Sequence, residues 1–343
     1  MKLSTSHIAK KVQETATKPA SILTGIAVGL AAMALAVQYK TRQAERENPP
    51  RGKFIDVDGV RLHYLEQGTG QPLVLIHGNG TMAEDYQIST VFYRAAKTHR
   101  VIAFDRPGYG YSDRPQSKTW DAAAQAQLLQ KALALLGVDQ PVVVGHSWGT
   151  LVALSMALDQ PDFVRSLVLL SGYYYPTTRL DVVLSAPLAM PLIGHMLRYT
   201  ISPLFGRLCW PLAAGKLFLP SRQPVRFKAL FPVWMSLRPP QLQASAADGA
   251  MMIAEASRLT DRYHELRMPV VIMAGTGDLF ALSKLHSERL HEDIAQSKLV
   301  LAPGVGHMVH QVVPEEVMEA IEIACGEEAI SRERDVFDAR VSS

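Results

Sequence analysis

Cysteine is scarce: the 343 residues contain two, Cys209 and Cys325. Neither lies in a metal-ligand spacing, so neither a zinc site nor a disulfide framework is suggested. The two read as unpaired thiols, with a single bridge between them as the alternative. Net charge is small as well, 35 Lys and Arg against 32 Asp and Glu giving +3. Nucleic-acid binding needs a clustered basic face, and this balance gives no case for one. Charged residues are 20% and hydrophobic residues 48% of the chain, which excludes global disorder and supplies a folded core. The length suits one large domain with an insertion, or two small domains.

Near the start, the apolar run from Ala20 to Val37 is broken only by Ser21, Thr24 and glycines. At ~1.5 Å per helical residue such a run comes close to crossing a ~30 Å hydrocarbon core. Residues 1–19 form a basic segment with Lys10, Lys11 and Lys18; residues 20–38 are the predicted transmembrane helix. Residues 39–52 are polar, end on Asn48-Pro49-Pro50 and read as a linker. The expectation is a single-pass anchor with the folded domain outside the cytoplasm. A cleaved signal peptide is the alternative, because Ala32-Met33-Ala34 and Ala34-Leu35-Ala36 fit small-residue cleavage sites, and the product is then secreted or periplasmic. A buried helix of the folded domain is the third reading.

From Phe54 onward, strand and helix signals alternate. Phe54–Val57 and Val60–Glu66 flank the hairpin signal Asp58-Gly59. Six unbroken apolar runs follow, beginning at Pro72, Val101, Pro141, Leu167, Pro269 and Leu299. Such runs are strands buried on both faces, as in a parallel sheet covered by helices. Helix-like stretches lie between them, so the class is α/β. The rhythm stops between Leu170 and Pro269, where a helical insertion is expected.

Gly145-His146-Ser147-Trp148-Gly149 follows one apolar strand and opens a helix. That context makes the G-x-S-x-G pattern a sharp turn that lifts the Ser147 hydroxyl above the sheet edge. A serine nucleophile needs a base, and the base needs an orienting acid, in the chain order Ser, acid, His. Asp278 follows the strand ending near Met273, and His307 follows the one ending at Leu301. Ligands in open α/β sheets bind at the carboxyl ends of strands, so all three emerge at one edge. His310 is the competing base. The loop His77-Gly78-Asn79-Gly80 can supply an oxyanion donor, the N–H of Asn79, beside that of Trp148.

These segments, together with Asp105-Arg-Pro-Gly-Tyr-Gly-Tyr-Ser112, resemble the α/β-hydrolase superfamily in its lid-bearing esterase, lipase and C–C hydrolase branch. The resemblance covers Phe54 to Ala324. It implies the α/β-hydrolase fold: a mostly parallel eight-stranded sheet flanked by helices, with a helical cap inserted after strand 6. The core is then 53–172 and 264–326, the cap 173–263 and a polar tail 327–343. It implies Ser147, Asp278 and His307 as the catalytic triad and a structural role for the Asp105–Ser112 turn. Epoxide hydrolases and haloalkane dehalogenases carry Asp at the position of Ser147, so those activities are not expected.

The cap is rich in Pro, Leu, Met and aromatics. His77 at the loop, and Tyr173, Trp210 and Trp234 in the cap, are the substrate-lining candidates. From Tyr173 to Ala247 the basic residues are Arg179, Arg198, Arg207, Lys216, Arg222, Arg226, Lys228 and Arg238, and the sole acid is Asp181. A basic, apolar cap beside an anchor suits contact with anionic lipid. The expected reaction is hydrolysis of a lipophilic small-molecule ester through an acyl-enzyme on Ser147, needing no metal and no organic cofactor. C–C bond hydrolysis, cofactor-free perhydrolysis and a non-catalytic binding protein are the alternatives. Natural substrate and oligomeric state stay open.

Overall fold

The computed structural model describes residues 5–177 and 186–326. Residues 1–4 of the basic segment, the tail 327–343, and Arg179 and Asp181 of the cap lie outside them. Eight strands form one sheet: β1 (Lys53–Val57), β2 (Val60–Gln67), β3 (Gln71–Ile76), β4 (His99–Phe104), β5 (Val142–His146), β6 (Ser166–Leu170), β7 (Val270–Gly275) and β8 (Ser297–Ala302). Their spatial order is β1-β2-β4-β3-β5-β6-β7-β8. The β1–β2 and β2–β4 pairs are antiparallel, and every other pair is parallel. Asp58 and Gly59 both have positive φ, 51° and 78°, as a tight two-residue hairpin requires.

Helices cover both faces. In chain order they are α1 (Thr5–Glu47), α2 (Glu84–Ile88), α3 (Val91–Ala95), α4 (Ala122–Leu135), α5 (Trp148–Asp159), α6 (Leu192–Tyr199), α7 (Ile201–Phe218), α8 (Val225–Leu230), α9 (Val233–Ser236), α10 (Pro239–Thr260), α11 (Ser287–Asp293), α12 (Val309–Val312) and α13 (Pro314–Cys325). Successive strand residues point to opposite faces. Val74, Ile76 and Val143 pack with α4, α5 and α10. Leu73, Leu75, Val142 and Val144 pack with α2, α3 and α13. Each such side chain contributes ~1.5–3 kcal/mol by leaving water, which explains the unbroken apolar runs. Helices α6 to α10 all lie between β6 and β7, and no strand occurs among the described residues there.

The expected linker is not one. Helix α1 runs through it to Glu47 and stops at Asn48-Pro49-Pro50. Val37 and Ala44, seven residues apart, share one helix face and are both buried. Ala44 packs with Met82, Met235, Tyr111 and Trp234. Arg238 pairs with Glu45 at 3.0 Å, and the Tyr111 hydroxyl donates to the Asn48 carbonyl at 2.5 Å. The polar composition of 40–47 hid this docking stripe. The part of α1 long and apolar enough to cross a membrane is Ser21–Glu47, with a mean hydropathy of 1.9 over its most apolar window.

Candidate active site

Between the last residue of β5 and the first of α5 stands Ser147 alone, at φ 51° and ψ −121°. A non-glycine residue there is strained and persists only where its surroundings hold it. The flanking glycines let the turn close. A Cβ on Gly149 would lie 2.4 Å from the Ile76 carbonyl oxygen and 2.7 Å from that of His77. Gly149→Ala is therefore expected to push α5 off β3 and to lower stability by ~1–3 kcal/mol, read from the urea midpoint.

The turn delivers Ser147 Oγ to 2.9 Å from His307 Nε2. His307 Nδ1 lies 2.7 Å from Asp278 Oδ2. With Nδ1–H donating to the carboxylate, Nε2 is left to accept the serine proton. The other Asp278 oxygen accepts the backbone N–H groups of Phe280 at 2.7 Å and Ala281 at 3.0 Å, which fixes the carboxylate plane. Asp278 and His307 are buried. His310 points elsewhere, its Nε2 at 2.9 Å from Asp85 Oδ2. His146 sits between the two, and its Nε2–H donates to the His307 carbonyl at 3.1 Å. Burial first, then the neighbouring His310 and His307, push the His146 pKa well below its ordinary value, so it stays neutral.

The two expected backbone donors flank the serine. Trp148 is the first residue of α5, where an N–H has no intrahelical acceptor. Asn79 lies on the loop after β3, and its side chain is tied back to α10. Asn79 Oδ1 accepts from Ser245 Oγ at 2.6 Å, and its Nδ2 donates to the Ser245 carbonyl at 3.0 Å. Arg106 holds that loop from below: Nε donates to the His77 carbonyl at 2.9 Å and an Nη to that of Gly78 at 3.0 Å.

A cavity of about 210 Å³ opens above Ser147, lined by Asn79, Trp148, Tyr173, Leu217, Phe280 and Met308 among others. Of the four lining candidates, Tyr173 takes part. The other three are corrections. His77 turns into the protein body, where its Nε2 accepts the Arg106 N–H at 3.0 Å and its Nδ1–H donates to the Gly78 carbonyl at 2.8 Å. Trp210 stacks on Phe231, with ring centroids 5.1 Å apart. It precedes Leu217 on α7 by two turns, ~10.5 Å of helix, which takes it away from the serine. Trp234 packs beside Ala44 and Met235, with Lys40 over its ring.

Burial, reinforced by the Arg106 charge, lowers the His77 pKa from 6.5 to about 3. The unfolded chain takes up this proton near pH 6.5 and the folded one does not. The stability His77 contributes is thus fully present above pH 6.5 and is lost as pH falls toward 3. Across that window the protein should lose up to ~1.4 kcal/mol per pH unit from this residue. His77→Gln should show a correspondingly shallower slope in urea titrations at pH 7, 5 and 4; an unchanged slope would refute it.

The least anticipated residues are Asp248 on α10 and its partners. Asp248 Oδ2 lies 2.6 Å from an Arg106 Nη, and both side chains are fully buried. Oδ1 lies 3.0 Å from an Arg114 Nη. The Tyr109 hydroxyl sits between Asp248 Oδ2 at 2.9 Å and Asn79 Oδ1 at 2.7 Å. The Trp148 indole N–H donates to the Asp248 carbonyl at 2.9 Å. One signal was present in the sequence: Asp248 is the first acid after Asp181. In the Asp105–Ser112 turn, burial works against the Asp105 charge. The hydrogen bond and charge of His63 outweigh it and hold the carboxyl below its ordinary value. Asp105 also accepts the Ala83 N–H at 2.8 Å, which ties this turn to the start of α2.

A family model described as alpha/beta hydrolase fold matches residues 71–312. A 2-hydroxymuconate semialdehyde hydrolase of Pseudomonas putida is 36% identical over 137 residues, 39% of this chain and 49% of that protein. The chain thus matches about half the length of that relative. Haloalkane dehalogenase 2 of Mycobacterium tuberculosis is 26% identical over 284 residues, 80% of this chain and 94% of that protein. Among solved structures, a membrane phospholipase A superposes with a TM-score of 0.62 at 20% identity, over 92% of this chain and 98% of its own. At that identity the likeness is one of fold.

Proposed function

The chain belongs to the α/β-hydrolase family, and from that premise we propose that it is a serine hydrolase cleaving carboxylic esters with an apolar acyl or alkyl group, anchored to a membrane by α1. The observation that carries this reading is the hydrogen-bonded line from Ser147 through His307 to Asp278 beneath a cavity whose walls include Leu217, Met252, Phe280 and Met308. In the proposed reaction His307 Nε2 takes the Ser147 proton as Oγ attacks the ester carbonyl. Asp278 holds the imidazole and stabilises the imidazolium. The N–H groups of Trp148 and Asn79 receive the developing oxyanion. His307 then protonates the departing alkoxide. The acyl-enzyme is cleared when His307 takes a proton from water, whose oxygen attacks, and the proton returns to Ser147. A serine cannot serve as the carboxylate nucleophile of haloalkane dehalogenation, so likeness to that relative does not carry its activity here.

Hydrolysis of a C–C bond on the same triad is the second reading, favoured by the 36% identity to the semialdehyde hydrolase. Turnover of p-nitrophenyl esters of graded chain length, with and without detergent, run beside a vinylogous diketone, separates the two. Ester turnover with labelling of Ser147 by a fluorophosphonate is the expected result. A folded protein that takes no label would end both readings.

A further inference from the structure

We propose that the outward side of α6 and α7 is a lipid-facing surface lying in the leaflet that α1 enters, through which an apolar substrate reaches Ser147 from the bilayer. This rests on the anchor reading of α1. Phe205, Leu208 and Leu212 follow one another at helical spacing on α7 and are 62%, 76% and 81% exposed. On the adjoining α6, Leu192, Ile193 and Met196 are also exposed. An apolar stripe of this kind on the surface of a soluble body is a contact surface by default.

Helix α1 indicates what covers it. The apolar run 20–37 is ~27 Å long, barely a hydrocarbon core. Its last part borders the folded body, where Val37 is buried. Ala31, Ala34, Leu35 and Val37 line one groove with Tyr199, at the end of α6, and with Pro239 and Pro240. If the hydrocarbon stopped where α1 meets the body, only residues 21–30 would remain, ~15 Å or half a bilayer. Covering the run brings the hydrocarbon to the level of Tyr199, where α6 ends and α7 begins.

Charge agrees. No acid occurs from Ala186 to Ala247. Arg198 and Arg238 are buried and bound to backbone carbonyls, and Arg226 donates to the Ile88 carbonyl at 2.7 Å. Arg207, Lys216, Arg222 and Lys228 remain exposed. Each basic group near an anionic leaflet strengthens the contact with it. The far end of α7 reaches the reacting centre: the His307 N–H donates to the Leu217 carbonyl at 3.0 Å, and Leu217 lines the cavity. From Leu212 to Leu217 is ~7.5 Å along the helix. The cavity, at about 210 Å³, is smaller than the ~300–1,000 Å³ of sites that enclose a whole ligand. It takes the reacting end of a long chain, while the remainder lies along α7 in lipid.

The test uses the full chain in phosphatidylethanolamine–phosphatidylglycerol vesicles, with a nitroxide at Leu212→Cys, Ile26→Cys or Leu135→Cys in a Cys209→Ser, Cys325→Ser background. Relaxation by oxygen and by a water-soluble nickel chelate reads lipid or water at each site. The expected result is lipid at positions 26 and 212 and water at 135, on the exposed face of α4. Water at 212 with lipid at 26 overturns the inference and leaves the anchor standing. Water at both removes the anchor and the inference together. Dipolar broadening at 212 identifies a second copy as the occupant and overturns the inference. In a second arm, Leu208→Asp with Leu212→Asp should lower turnover of a long-chain ester in vesicles about tenfold, leaving a soluble short-chain ester unaffected. Equal turnover on both substrates overturns the route from the bilayer.

Discussion

Ser147→Ala should fold and melt as the parent does, and lose ester turnover by a factor of ~10⁴–10⁶. Stability is spared because the hydroxyl holds little in place: its hydrogen bond is to His307, and the backbone bond of Ser147 N–H to the Leu170 carbonyl survives. Alanine meets the same positive φ with a smaller side chain, so the strain of the turn is unchanged. Catalysis is not spared, because the hydroxyl that His307 Nε2 holds at 2.9 Å is the proposed nucleophile. Members of a triad act as a unit, so His307→Ala added to Ser147→Ala should cost little more. Asp278→Asn alone should lower turnover by ~10⁴, since an amide partner favours the wrong imidazole tautomer. These losses are read as kcat on p-nitrophenyl butyrate beside a thermal melt. Retention of a tenth of the parent rate by Ser147→Ala would remove the serine from the mechanism.

Asp248→Ala should do the opposite, unfolding the protein more readily as well as slowing it. Arg106 is fully buried, and its other acceptors are neutral: the His77 and Gly78 carbonyls and the Gln125 amide. Removing one partner of a buried ion pair leaves an uncompensated charge, at a cost of ~3–5 kcal/mol. The urea midpoint should fall accordingly. Replacing Arg106→Met and Asp248→Leu should restore part of the loss, because no ion is left at the fully buried pair, while Arg114, the second partner of Asp248, is partly exposed and keeps contact with water. A double variant as unstable as the single one would show that the packing of α10, not charge, is at stake. Turnover should fall further than stability alone explains, because Arg106 carries the loop that bears the Asn79 N–H.

The sheet was legible because burial on both faces writes itself as unbroken apolar runs, as at Val142 to Val144. Ser147, Asp278 and His307 were legible because each stands directly after such a run. What escaped reading depends on direction or on distance along the chain. Trp210 and Leu217 share a helix face, and their axial separation, not their chemistry, decides which meets the cavity. His77 is adjacent to the loop that faces Ser147, yet its ring turns the other way to meet Arg106. Asp248 pairs with a residue far upstream, so neither member looked like half of a pair. Helix α1 misled by composition: the polar side chains of residues 40–47 stay partly or fully in water, while the small or apolar Val37 and Ala44 carry the docking.

The same docking bears on how such an enzyme searches. A flexible tether would let the catalytic domain tumble above the membrane and sample its surroundings in three dimensions. Here Glu45, Ala44 and Asn48 are clamped to Arg238, Met235 and Tyr111, so α1 acts as a mast rather than a leash. With α1 in a bilayer, the height and azimuth of the Ser147 cavity above the lipid are set by the fold itself. On the proposed lipophilic substrate, the domain would meet it by lateral diffusion, and its rate would scale with the surface density of substrate in the leaflet rather than with concentration in bulk water.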